Sequence, residues 1–171
     1  RVKGGVLVSR TLKVTGISEG AVDEMAGSFL AGGNPTIGVY AKPDGIHVRI
    51  AAKAVDELTA HDLVKPVEDE LRKRFGDNLW GSDEESMQEH VGQLLVDKGM
   101  TVATMESCTG GLFSSTITDV PGSSSYFKGG FVAYTNEVKI AYGVASALIE
   151  EYGAISSETA VAMARAARIQ M

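Results

Sequence analysis

The sequence predicts two small mixed domains in tandem: an α+β unit over residues 10–76 and an α/β unit over residues 85–171, joined by a connector at 77–84. Three observations carry that expectation. Apolar spacing in the first part orders strand, helix, strand, strand, helix, whereas helix and strand alternate in the second. Charge changes between the parts: residues 1–76 hold 11 Lys/Arg against 10 Asp/Glu, and residues 77–171 hold 5 against 12. The 171 residues are 44% hydrophobic and 22% charged, ordinary globular usage that excludes bulk disorder.

Residues 1–9 begin without methionine and show no firm pattern, which predicts an N-terminal remnant or linker. Alternation from Leu12 to Ile17 predicts a strand. Ser18 then caps a helix whose stripe is Val22, Met25, Ala26, Phe29 and Leu30, stopped by Gly32-Gly33-Asn34-Pro35. Strands over Thr36–Ala41 and Ile46–Ala52 flank Lys42-Pro43-Asp44-Gly45, a tight hairpin turn. A helix from about Thr59 to Phe75 ends at Gly76, and Pro66 either kinks it or marks its first turn. Its last turn, Arg72-Lys73-Arg74, reads as a solvated end favoured by the helix dipole.

In the connector, Asn78–Trp80 adds a short strand. Ser82 and Glu85 pair as a capping box, so Asp83-Glu84-Glu85 reads as a first helical turn and not a metal site. A helix through Met87, Val91, Leu94 and Leu95 runs to Lys98-Gly99. The strand Thr101–Glu106 opens through Ser107-Cys108-Thr109-Gly110-Gly111 onto a helix to about Thr118. Gly129–Thr135 reads as a strand, and Asn136 caps a short helix carrying Lys139. Helices over 145–152 and 156–168 complete the chain. So few strands leave apolar faces uncovered, and the expectation is that the chain ends before its second domain does.

The composition closes off several functions. No apolar run approaches the length of a membrane span, and nothing resembles a signal peptide, so a cytoplasmic protein with no membrane partner is expected. One cysteine, Cys108, and three scattered histidines offer no disulfide framework and no metal-ligand spacing, so no metal is expected. The acidic second part argues against nucleic acid, yet it leaves room for an anionic small molecule.

The densest chemical signal is Glu106-Ser107-Cys108-Thr109-Gly110-Gly111 at a strand-to-helix junction. Two glycines there admit close approach of a ligand to backbone N–H groups, which can hold a phosphate or a developing oxyanion. Ser107, Cys108 and Thr109 present three hydroxyl or thiol groups at one mouth; the plain alternative is an N-cap with a tight crossing. A serine nucleophile needs a base. Lysine serves when burial favours its neutral form, and tyrosine can relay the proton. Tyr134 and Lys139 fall where a strand hands over to a helix and are the candidates; the alternative is a core tyrosine and a solvent lysine.

These residues lie within a longer series. Thr101–Gly111 (TVATMESCTGG), Thr116–Gly122, Ser125–Gly130, Val132–Lys139 (VAYTNEVK), Gly143-Val144, Tyr152–Ser156, Ser157–Ala160 and Met163-Ala164 stand in fixed order. Together they resemble the C-terminal domain of the CinA family, a nicotinamide-nucleotide amidohydrolase domain. Residues 10–80 look like the small KH-like domain that precedes it in that family, here without a Gly-x-x-Gly nucleic-acid clamp. The resemblance implies a KH-like β-α-β-β-α domain followed by an incomplete α/β/α sandwich.

It also implies hydrolysis of the carboxamide of nicotinamide mononucleotide to nicotinic acid mononucleotide and ammonia, in pyridine-nucleotide salvage and without a cofactor. Ser107 is then the nucleophile, Tyr134 and Lys139 deprotonate it, and Thr109, Gly110, Gly111 and Asn136 bind substrate or the oxyanion. A homodimer or higher homo-oligomer is expected. Met105 stands where the family commonly has a small residue, which narrows the pocket or fills the core. Family members continue past the equivalent of Met171 with a glycine-rich run that helps form the substrate site. Two alternatives therefore stay open, an inactive pyridine-nucleotide-binding fragment and an oligomerising structural fragment. The family's larger N-terminal domain and its ADP-ribose pyrophosphatase activity are not expected of these residues.

Overall fold

The computed structural model describes residues 5–171 and divides into two compact units, Arg1–Met87 and Gln88–Met171. In the first, β1 (Val6–Val14), α1 (Glu19–Ala26), β2 (Thr36–Lys42), β3 (Gly45–Ala54), α2 (Glu57–Phe75) and β4 (Leu79–Ser82) follow in order. The strands form an antiparallel sheet in the order β2-β3-β1-β4. Alternation along β3 turns Ile46, Val48, Ile50 and Ala52 to one face, where Leu12 and Val14 of β1 join them. Val22 and Ala26 of α1 and Ala60, Val64, Leu71 and Phe75 of α2 cover that face and close the core. Ser18 and Asp56 start the two helices, accepting from Ala21 N (3.2 Å) and Thr59 N (2.8 Å).

The second unit holds α3 (Met87–Asp97, which opens at the boundary), β5 (Val102–Glu106), α4 (Leu112–Thr118), β6 (Phe127–Val132), α5 (Asn136–Ala141), α6 (Ser146–Tyr152) and α7 (Ser157–Gln170). β5 and β6 pair in parallel, from Val102↔Phe127 to Glu106↔Val132. The alternation of β5 sorts its neighbours. Thr104 and Glu106 point toward α4, with Thr104 Oγ1 2.7 Å from Ser114 Oγ, while Met105 packs with Ala133, Val144, Ile149 and Met163 on the other face. Helices therefore lie on both faces of a two-stranded layer, the α/β/α sandwich in its smallest form. Leu112, Phe113, Val132, Ile155 and Ile169 are left exposed. Among the described residues no helix is long and apolar enough to cross a membrane.

Several expectations need correction. Residues 6–9, read as remnant or linker, belong to β1, whose pairing with β3 begins at Val6↔Ala54; residues 1–4 lie outside the described residues. The connector 77–84 contains β4, which pairs with β1, so the first unit extends to Met87. Ser82 N does donate to Glu85 Oε2 (2.6 Å), yet α3 starts only at Met87, because Asp83 is bound back to β1 through Thr11 N (2.8 Å) and Thr11 O (2.8 Å). Pro66 sits well inside α2 and not in its first turn. The basic end of α2 is the exposed last turn expected, with added contacts: Arg72 pairs with Glu68 (2.8 Å), and Arg74 donates to Met25 O (2.8 Å) and lies over the Phe29 ring. The cap of α5 is Thr135, not Asn136.

Candidate active site

The loop from Ser107 to Gly111 links the end of β5 to the start of α4. Gly110 (φ 59°) and Gly111 (φ 100°) both take the left-handed backbone that lets the chain reverse within so few residues. Gly111 is the N-cap of α4 and offers no side chain, so the first helical N–H groups need another acceptor. Glu106, 6% exposed, provides it from the strand. Its Oε2 accepts from Phe113 N (2.9 Å), and its Oε1 accepts from Ser114 N (2.7 Å) and Ser114 Oγ (2.6 Å). Burial alone would push this carboxyl up. The hydroxyls of Ser114 and Thr109 and the two N–H groups outweigh it and hold the pKa down at about 2.

Lys139 arrives from the neighbouring strand. Ala133 N donates to Glu106 O (2.8 Å), which carries the β5–β6 contact past the end of β6. Thr135 Oγ1 then accepts from Val138 N (3.4 Å) and starts α5, which turns Lys139 inward. At 2% exposed, its Nζ donates to Ser107 Oγ (3.2 Å), Ala133 O (2.9 Å) and Tyr134 O (3.0 Å). Among the described residues it forms no ion pair. The two carbonyls hold two of its hydrogen bonds, and the serine hydroxyl is the third contact of the nitrogen. That is the geometry of a base set against a nucleophile.

Ser107 and Lys139 open onto a cleft of about 690 Å³ whose apolar walls include Met105, Phe113, Ile155 and Met163. Met105 both packs in the core and lines this wall, so the two roles expected of it coexist. Cys108 and Thr109 also line the cleft. The Tyr134 side chain lines it too, but is 70% exposed and its hydroxyl makes no hydrogen bond among the described residues; its carbonyl is what touches Lys139. Asn136 is exposed on the first turn of α5 and does not line the cleft. Gly110 N is occupied, donating to Ser107 O (3.1 Å), and Leu112 N donates to Thr109 O. The N–H groups of Cys108, Thr109 and Gly111 have no acceptor among the described residues. Sequence reasoning assigned Glu106 no role, although a glutamate directly before the candidate serine, with a serine eight positions on, was the available signal.

Known proteins resemble this chain along both units. The family model described as the CinA C-terminal domain matches residues 84–171, and that of the damage-inducible protein CinA KH domain matches residues 9–81. A competence-damage inducible protein of Symbiobacterium thermophilum is 48% identical over 163 residues, covering 94% of this chain and 38% of that protein. One from Moorella thermoacetica is 40% identical over 164 residues, covering 95% of this chain and 40% of that protein. The chain thus spans about two fifths of the length of the curated relatives it matches. Among solved structures, the competence/damage inducible protein CihA from Agrobacterium tumefaciens is 37% identical, with a TM-score of 0.47 over 48% of this chain and 51% of that one. With both matches in family order and the relatives' identity running across nearly the whole chain, this chain belongs to the CinA family, as a CinA KH domain followed by CinA C-terminal domain sequence.

Proposed function

We propose that the second unit hydrolyses the carboxamide of nicotinamide mononucleotide, with Ser107 as nucleophile and Lys139 as base. The observation that carries this is the contact between Lys139 Nζ and Ser107 Oγ at 3.2 Å, made by a buried lysine that also donates to Ala133 O and Tyr134 O.

In its neutral form, Lys139 takes the proton of Ser107 as Oγ attacks the amide carbon. The carbonyl oxygen becomes an oxyanion, for which the free N–H groups of Thr109 and Gly111 are the donors at hand. As the C–N bond breaks, Lys139 returns its proton to the departing nitrogen and ammonia leaves. Water then gives a proton to Lys139 and attacks the ester, and Ser107 recovers its proton as the carboxylic acid is released. The pyridinium ring already withdraws electrons from the amide, which favours attack. The apolar walls suit a flat ring, and the exposed mouth leaves space for ribose and phosphate.

Ammonia release measured with nicotinamide mononucleotide tests the reading, alongside calorimetry with the same compound. Turnover supports it. Heat of binding without ammonia leaves a pyridine-nucleotide-binding unit, and neither heat nor ammonia removes the substrate assignment altogether.

A further inference from the structure

We propose that Glu106 is the positioning residue that holds the nucleophile and its lysine against each other, an inference that rests on the Ser107–Lys139 reading above. Glu106 grips both partners' supports. Its carbonyl accepts from Ala133 N (2.8 Å), and the carbonyl of Ala133 in turn accepts from Lys139 Nζ (2.9 Å). Its carboxylate accepts from Phe113 N and Ser114 N and so fixes the start of α4, where the Ser107–Gly111 loop ends. Ser107 is the next residue in the chain, bounded by these anchors on both sides.

The carboxylate is itself held in one orientation. Ionised, it has only acceptors to offer, so Ser114 must donate its single hydroxyl proton to Glu106 Oε1. Ser114 Oγ can then only accept from Thr104 Oγ1, 2.7 Å away, and the relay runs one way, from Thr104 to Ser114 to Glu106. Thr104 is buried, and a methyl group at Gly130 would overlap both hydroxyl oxygens, so the relay fills the space under β6. A glutamine at 106 keeps one acceptor oxygen and turns an NH₂ group toward a backbone N–H, two donors face to face. That loosens the first turn of α4 and the loop before it.

Two variants test the proposal, Glu106→Gln and Thr104→Val, with Thr104→Ser as the conservative control. Three readouts are taken: kcat and KM for nicotinamide mononucleotide, and hydrogen exchange by mass spectrometry across 107–114 and 133–139. Displacing a reacting atom by about 1 Å costs on the order of 10²-fold in rate. Glu106→Gln should therefore lower kcat by about that factor, leave KM within about threefold, and speed exchange in the two segments about tenfold or more. Thr104→Val should shift the same readouts in the same direction, and Thr104→Ser should restore wild-type values. Wild-type values of kcat and exchange in both Glu106→Gln and Thr104→Val would overturn the proposal. So would global unfolding of Glu106→Gln together with a Thr104→Val protein indistinguishable from wild type. Absence of ammonia release from the wild type would count against the hydrolase reading alone, and exchange would then decide the positioning role.

Discussion

At the residue scale the proposed chemistry rests on one contact and one buried carboxylate. Replacing Ser107 by alanine removes the proposed nucleophile and should cut kcat by on the order of 10³-fold or more, with far-ultraviolet circular dichroism unchanged. Lys139→Met keeps the buried bulk and loses the proposed base, so kcat should fall on the order of 10²- to 10⁴-fold. Glu106 makes a separate, pH-dependent prediction. Its folded pKa of about 2 lies below the ordinary 4.5, so it binds its proton more weakly folded than unfolded. The stability it adds is complete above about pH 4.5 and is lost as pH falls toward 2. Acid unfolding of the wild type should steepen in that window, and the Glu106→Gln profile should be flatter there. Equal profiles would show that Glu106 adds no pH-dependent stability. Of these residues, Ser107 and Lys139 were legible because a nucleophile type and a scarce base each fell at a strand–helix junction. The role of Glu106 was not, since a buried carboxylate at a strand end is defined by donors that only the fold brings to it.

At the scale of elements, helices and strands followed their apolar spacing, and the errors gathered at ends and connectors. β1 begins at Val6 instead of Leu12 because cross-strand bonds to Val6↔Ala54 extend it where side-chain alternation alone was silent. The Ser82–Glu85 pair formed its hydrogen bond without starting a helix, since Asp83 was claimed by β1, more than 70 residues earlier. No local pattern records such a partner. Within the first unit, Leu71→Ala empties a fully buried position of α2 and should cost about 2–5 kcal/mol. Trp80, the single tryptophan, is buried in the same unit and would report the lowered denaturation midpoint by fluorescence. Within the second, α3 packs Gly92 so closely on Tyr126 that an added Cβ would lie 2.5 Å from its hydroxyl oxygen. Gly92→Ala should destabilise by about 1–3 kcal/mol. That hydroxyl is buried with no partner among the described residues, so Tyr126→Phe should be close to neutral and should recover part of the loss in the double variant.

At the scale of the whole molecule, the two-part division was readable from charge and element order, and the units divide at Met87, three residues past the expected connector. The first unit builds a closed core beneath a four-stranded sheet, while the second places its candidate site at the C-terminal ends of two parallel strands. That placement follows from parallel pairing: both strands point the same way, so Ser107 and the carbonyls of Ala133 and Tyr134 emerge side by side at one edge. The most direct test of the central claim is to quench the reaction with nicotinamide mononucleotide in acid and map the peptides by mass spectrometry. The expected result is an adduct of substrate mass less ammonia on Ser107 in the wild type, absent from Ser107→Ala and formed far more slowly in Lys139→Met. An adduct on Cys108 instead, or ammonia release that survives Ser107→Ala, would contradict it.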